Sequence, residues 1–525
     1  MESIHLQFGQ GIEPPAKLGT AIIKPVSEGK FSYGQNVDVE NDEYGNTVLL
    51  PGPALNTITG NANLIGVPFI RAFDPNPGRV GDGNPVIFLG EHIVGTTSTV
   101  GGVVTGVASG VTPTLQATTY SLSHSGHGHP KVDDMEYWDG SGAIKCYSIG
   151  QDDTDQWYVS QASGGGTYQN YVTLTGAGLV AQTFEQKIWN SKNDGFFYFG
   201  YNYNIDRLTP NNGTYFPAVL GLTQDKGITA FEDWLTFLAI AVSTEYPYTF
   251  AKRKGAGKSG IYLWDLTSTA VETRRFIPCP ARYISALKRL ADGTLIAFGG
   301  VNEGKTTLYQ FNGYGFTELY TYIGDMPLNR HSVDLDGQGR ILWQTVDGQI
   351  CRYDITKNIF THLGTMNTNT SQGGILMKLL GGTGNEFLVA SGTGTSYTLA
   401  IMSFGNYVGD GASTNDVFNT PLAVSGLADL PQKSVIRTVI VSLQTALTQG
   451  NRIEVRLYPN GSTNYTVLGN LQYSDDGAVA SKQVRCFNTG NDNAAIGLAW
   501  KTADNSTTAP GVVDVELQYN KINTL

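Results

Sequence analysis

At 525 residues, with only 15% charged side chains, 65 glycines, 27 tyrosines and 22 phenylalanines, the chain has the composition of many short strands joined by tight turns, and not that of long charged helices. The formal charge of −11 excludes a dedicated nucleic-acid binder: phosphate affinity comes from clustered Lys and Arg, and the basic clusters here, Lys252-Arg253-Lys254 and Arg274-Arg275, are small. No apolar run long enough for a membrane span or a secretion signal appears, and Cys146, Cys279, Cys351 and Cys486 form no CxxC pair, so a soluble all-β protein with free thiols, folded in a cytoplasm, is expected.

Residues 1–60 read as an N-terminal β arm. Asn36-Val37-Asp38-Val39-Glu40 alternates like an edge strand, Tyr44-Gly45-Asn46 is a turn, and Val48-Leu49-Leu50 supplies a hairpin partner. The free edge around Val37, Asp38 and Val39 is therefore the candidate surface for pairing with a neighbouring subunit. Deletion of residues 1–55 is expected to abolish assembly and leave the rest folded.

From 61 to 407 the text is that of a propeller. Val86-Ile87-Phe88-Leu89 is a strand, and the Gly-rich piece from Gly95 to Gly110 reads as a long β-loop or a mobile segment, equally an interface or tip and a plain surface excursion. The pattern aliphatic-x-x-aromatic-Asp/Asn then occurs as Met135-Glu136-Tyr137-Trp138-Asp139. It recurs as Ile261-Tyr262-Leu263-Trp264-Asp265, Leu308-Tyr309-Gln310-Phe311-Asn312 and Ile350-Cys351-Arg352-Tyr353-Asp354. The last three stand at steps of about 42 to 47 residues, the period of a four-stranded blade, which implies six or seven blades. Trp138, Trp264, Phe311 and Tyr353 are assigned a structural role, filling the wedge between adjacent sheets, while the Asp or Asn that follows opens a turn. Asp292-Gly293 and Asp336-Gly337 mark further tight turns.

Beyond 407 the blade spacing stops. Residues 408–525 hold six or seven short alternating strands, among them Arg452-Ile453-Glu454-Val455-Arg456-Leu457-Tyr458, with turn signals at Pro459-Asn460-Gly461 and Asp475-Asp476-Gly477. A C-terminal β-sandwich domain is expected.

Chemistry-bearing motifs are few. His124, His127 and His129 on one Gly-rich loop are a weak candidate for a metal, since short His-rich tracts are a compositional cue only. Asp152-Asp153-Thr154-Asp155 lacks the bidentate Glu of a calcium loop and reads as a solvated acidic turn. Ser332-Val333-Asp334-Leu335-Asp336-Gly337 departs from the Asp-box of sialidase-like propellers, because Asp336 stands where a glycine is needed and Trp343 comes too late. No hydrolase, metalloprotease or nucleotide-binding motif is present, so neither a catalytic residue nor a cofactor is assigned.

The order of parts, an N-terminal Gly9-Gln10-Gly11, the strand Asn36-Val37-Asp38-Val39-Glu40, then Leu50-Pro51-Gly52 leading into a propeller, resembles tail structural proteins of bacteriophages, especially the nozzle or tail-tubular family. The family usually has Arg-Pro-Gly where this chain has Leu50-Pro51-Gly52. The resemblance implies a non-enzymatic virion component, assembled in the host cytoplasm as a homo-oligomeric ring. Such a ring forms part of the DNA channel, passes DNA without binding it and docks fibres or other tail proteins. Two other readings of the propeller stand beside it: a receptor- or glycan-binding propeller of the virion surface, and a propeller-type glycoside hydrolase, whose paired carboxylates only a structure can place.

Overall fold

The computed structural model describes residues 1–6, 8–14, 16–18, 23–41, 47–57, 67–71, 86–92, 101–105, 114–116, 131–138, 145–151, 157–163, 169–173, 187–201, 203–210, 213–222, 227–244, 258–267, 276–302, 304–366, 372–378, 386–393, 396–407, 421–501 and 510–521. Almost all of them lie in strands or the turns between them, and among them no helix is long and apolar enough to cross a membrane.

Seven antiparallel sheets of four or five strands follow one another along the chain. Their first strands are Val67–Arg71, Lys131–Trp138, Lys187–Asn190, Gly227–Trp234, Tyr283–Arg289, Val333–Leu335 and Gln372–Lys378. Each first strand packs against that of the next sheet, and the seventh packs against the first, which closes the ring. The fold is a β-propeller. Gly101–Thr105 is the third strand of the first sheet, so the stretch expected as a long loop contains a paired strand. The seventh sheet is completed by Pro53–Thr57, from far upstream.

Apolar side chains fill the space between sheets. Tyr198, Phe231, Ile240 and Trp264 meet in one buried cluster that spans the third and fourth sheets, and Ala241, Ile261, Leu287 and Phe311 meet in another that spans the fourth and fifth. The Trp264 ring lies edge-on to Tyr198 at 5.2 Å, and Phe311 lies edge-on to Trp234 at the same distance, so both aromatics fill the wedge against the preceding sheet. The acceptor after each aromatic opens the turn as expected. Asp265 Oδ1 accepts from Thr267 N at 3.1 Å, Asn312 Oδ1 from Tyr314 N at 3.0 Å and Asp354 Oδ1 from Lys357 N at 3.1 Å. Trp264, Phe311 and Tyr353 all lie on third strands of their sheets. Trp138 does not: it ends a first strand, so its motif matches the others in letters and not in position.

The chain divides into two compact units, one of Thr57–Gly348 and Thr368–Ile401, the other of Met1–Asn56, Gln349–Asn367 and Met402–Leu525. In the second unit the strands expected as a separate arm and a separate sandwich form one ten-stranded sheet. Glu2–Leu6 pairs with Val512–Asn520, Phe31–Gln35 with Leu422–Ser425, and Thr47–Pro51 with both Val37–Asn41 and Val512–Asn520. Two strands are far longer than the usual strand, Ala428–Leu443 at 16 residues and Ser481–Trp500 at 20. Ser481–Trp500 changes partners along its length, from Ala428–Leu443 to Arg452–Pro459, and its register with the former shifts three times. One strand thus serves both halves of the sheet. Deleting residues 1–55 removes strands from this sheet and most of the last strand of the propeller, so the truncation does not separate assembly from folding.

Candidate functional site

In the seven-sheet ring the first strands carry the charges. Four of them contain a bulge at a corresponding place, with register shifts at Val132/Asp134, Ile228/Ala230, Ile284/Ala286 and Gly373/Ile375. A bulge adds one residue and re-aims the side chains after it. On two of these strands, and on the first strand of the sixth sheet, which pairs without such a shift, stand carboxylates that tie each even-numbered sheet to the next. Asp134 Oδ2 of the second sheet accepts from Ile188 N of the third at 3.1 Å, Glu232 of the fourth accepts from the backbone of Arg289 in the fifth, and Asp334 Oδ2 of the sixth accepts from Lys378 N of the seventh at 2.8 Å.

A short strap before the sixth sheet plugs the same region. Asn329 Oδ1 accepts from His331 N at 2.9 Å and caps the 3-10 turn Arg330–Ser332, all three residues of which are buried. Arg330 Nη1 lies 2.6 Å from Glu136 Oε2 and Nη2 lies 3.4 Å from Asp134 Oδ2, while the guanidinium stacks 4.9 Å from the centre of the Trp189 ring. His331 Nε2 is 2.5 Å from Asp134 Oδ1. The strap therefore reaches from the fifth and sixth sheets to the second and third.

Burial opposes ionisation of Asp134, but Arg330, His331 and Lys187 outweigh it and hold the carboxyl well below the ordinary range. Arg330 is opposed by burial in the same way and is held charged by Asp134 and Glu136. Asp334 is lowered because Lys288 and two backbone N–H groups overcome its burial. Glu232 differs: burial dominates, Lys288 offsets only part of it, Asp233 adds repulsion, and its pKa rises to about 7. The first three are paired charges that hold sheets together; Glu232 is the one carboxyl of this group whose proton exchanges near neutrality.

The residues singled out by sequence lie elsewhere. Val37, Asp38 and Val39 lie on the last strand of the ten-stranded sheet, as an edge strand does, but their side chains are buried. Val37–Asn41 pairs with Thr47–Pro51, and the Asp38 carboxylate is held by Arg352, which also reaches Glu40 at 2.8 Å. Asp336 accepts from the backbone of Gln338 at 2.8 Å and of Arg340 at 2.9 Å, so it shapes a turn and does no chemistry. Cys279 and Cys351 are buried free thiols, and burial pushes the Cys279 pKa up to about 12. His124, His127 and His129 and the acidic run 152–155 with its first residue Asp152 lie outside the described residues. Sequence reasoning missed Arg330 and the three carboxylate ties. The available signal was the recurrence of Asp134, Glu232 and Asp334 at intervals of about 100 residues, two blade periods, in strands whose aromatic pattern drew attention first.

No family model matches the chain, and no curated protein matches it. Solved structures do. The chain is similar to YCF48 bound to D1 peptide at 11% identity, with 72% of this chain and 100% of that one covered and a TM-score of 0.40. It is similar to the extracellular domain of the hybrid two-component system BT3049 from B. thetaiotaomicron at 13% identity, over 93% and 61%, with a TM-score of 0.45. The WD40 propeller domain of Doa1 gives 12% identity, 66% and 97%, and 0.40. At these identities the likeness concerns fold alone, and the propeller assignment rests on the strand order and ring closure described above.

Proposed function

We propose that this protein is a non-enzymatic structural propeller of a bacteriophage tail, a subunit of a ring that docks other tail proteins and passes DNA without binding it. The observation that carries the structural part of this reading is the plug of Arg330 and His331. A propeller that acts on a ligand at its axis needs room and unpaired groups there, and here the strap, Asp134, Glu136 and Trp189 use the space and the charge for cohesion. The acidic balance and the order of parts support the tail and the DNA path. Mass photometry of the purified full chain tests the ring: a closed oligomer is expected, and a monomer at all micromolar concentrations overturns it.

A second reading, a propeller that binds a receptor or glycan, is favoured by one patch. Tyr314 is 94% exposed at the tip of a hairpin in the fifth sheet, and Leu235 is 54% exposed at a hairpin tip in the fourth. Gly313, beside Tyr314, approaches the ring of Trp234, beside Leu235, so closely that any side chain there would collide with it. Leu235 has φ +53°, a left-handed conformation that costs a bulky residue about 1 to 2 kcal/mol and that persists in functional surfaces. Glycan-array binding lost in Tyr314→Ser decides for this reading. No turnover of a polysaccharide panel is expected; turnover abolished by a single carboxylate substitution establishes the hydrolase instead.

A further inference from the structure

On the third sheet a half-buried arginine is held by rings and by no acid. The strand Asn204–Leu208 runs between Phe197–Tyr201 and Tyr215–Gly221, and its Arg207 stands opposite Tyr198 on one neighbour and Phe216 on the other, so the three side chains share a face. The guanidinium carbon lies 4.6 Å from the centre of the Phe216 ring and 4.6 Å from that of Phe196, which immediately precedes the second strand. Arg207 also donates to the Tyr198 hydroxyl, whose own proton goes to Asp194 Oδ2 at 2.5 Å. The acids nearby are engaged elsewhere. Asp194 meets that hydroxyl rather than the guanidinium and accepts from Phe196 N at 3.2 Å; Asp206 accepts from Ala218 N at 2.6 Å and from Tyr215. Asp233 holds Ser191 and Lys192, and Asp265 holds Thr267 N. None of them forms an ion pair with Arg207 among the described residues, and Arg207 Nε is buried without a partner. A cation withdrawn this far from water without a counter-charge costs the fold free energy, and two rings offset only part of that cost.

Arg207 lies at the end of its sheet where the first and third hairpins turn, and Leu235 and Tyr314 occupy the same hairpins of the fourth and fifth sheets. Contacts link the three. Asn193 Nδ2, on the hairpin that leads into Phe196, donates to Phe237 O at the base of the Leu235 hairpin at 3.2 Å, and Trp234 on that hairpin meets Gly313 beside Tyr314. We propose that the glycan of the carbohydrate-binding reading is acidic, a polymer containing uronic acid, and that Arg207 receives its carboxylate. The proposal rests on that second reading. A carboxylate offers two coplanar oxygens to the fork of a guanidinium, and rings that fix the fork beforehand spare the cost of ordering it on binding. Between its carboxylates such a polymer presents the apolar faces of its sugar rings, which suit the exposed Leu235 and Tyr314.

Fluorescence anisotropy of the full chain with fluorescein-labelled hexagalacturonate, and with labelled maltohexaose as its neutral counterpart, tests it. Saturable binding of hexagalacturonate is expected, weakened about tenfold in Arg207→Gln. Arg207→Lys keeps the charge and loses the fork, so it should bind with intermediate strength, which a collapsed fold would not give. Lys305→Gln, at an exposed lysine that begins the strand Phe311 ends, should leave binding unchanged. Full-strength binding in Arg207→Gln, equal weakening by Lys305→Gln, or equal binding of a labelled hexaglutamate peptide overturns the proposal. Binding of maltohexaose alone, lost in Tyr314→Ser, overturns it and keeps the carbohydrate-binding reading. Binding of neither oligosaccharide overturns it as well, and the glycan array then decides that reading by itself.

Discussion

In each compact unit a buried arginine is held by the same device. Arg330 is forked between Asp134 and Glu136 and lies over Trp189; Arg352 is forked between Asp38 and Glu40 and lies over Phe404 at 5.6 Å. In both cases the acids stand two apart on one strand, and the two-residue period of a strand places both carboxylates on one face. Asp-x-Glu on a strand is thus a socket for a guanidinium, whose planar array of donors suits two acceptors at once. The difference lies in water. Arg330, Asp134 and Glu136 are each less than a tenth exposed, whereas Glu40 is 26% exposed. Charges withdrawn from water depend wholly on their partner, and a charge at the edge keeps a second one in the solvent.

That contrast sets a graded series of experiments. Arg330→Met should cost the most, about 3 to 5 kcal/mol in urea unfolding, because two buried carboxylates lose the guanidinium that they share. Adding Asp134→Asn and Glu136→Gln should recover a large part of that loss. Arg352→Met should cost less, about 2 to 3 kcal/mol, since Glu40 keeps its contact with water and Asp38 still accepts from Val39 N. An equal or larger loss for Arg352→Met would dissolve the distinction.

Glu232 sharpens the comparison through pH. Its folded pKa of about 7 lies above the ordinary 4.5, so the folded state holds more protons between those values, and this group's contribution to stability falls as pH rises through that window. Urea midpoints of Glu232→Gln should therefore exceed those of the parent above pH 7, by up to about 3 kcal/mol in unfolding free energy, and converge with them below pH 4.5. Asp134 has the opposite sign: its contribution is complete above the ordinary carboxylate range and is lost only as pH falls below it. Identical pH slopes for parent and Glu232→Gln would remove the assignment. Smallest of all is Glu40→Gln, expected to cost under about 1 kcal/mol, as at other partly exposed pairs.

The propeller was legible because its signals are local. The aromatic before an Asp or Asn, the turn after it and the period of the repeat all sit within one sheet, and each depends on a few adjacent residues such as Phe311, Asn312 and Gly313. The sockets were not legible, because Arg330 meets Asp134 and Glu136 across almost 200 positions, and Asp38-Val39-Glu40 reads equally as an exposed edge until Arg352 is placed beside it. The burial of Val37 to Val39 was hidden for the same reason: the strand does end its sheet, but alternation reports that one face is covered and is silent about what covers it. Trp138 misled for a different reason, since a strand-ending aromatic followed by Asp is also what a first strand presents. The ten-stranded sheet was hidden by the distance in sequence between its N- and C-terminal strands.

That distance has a consequence for how the protein is made. His5, in the strand Glu2–Leu6, meets Asp514, in the strand Val512–Asn520, across 509 residues. A ribosome adds residues at about 5 to 20 per second, so roughly 25 to 100 s separate the synthesis of the two partners. During that interval Glu2–Leu6 and the closing propeller strand Pro53–Thr57 are outside the ribosome with hydrogen-bonding edges unmet. Nascent copies on one message present the same unmet strands to one another, and an N-terminal strand of one chain can complete the sheet of another. Sparse initiation, which keeps nascent copies apart, and holding by a chaperone should therefore raise the yield of correctly paired protein more than any change of folding temperature.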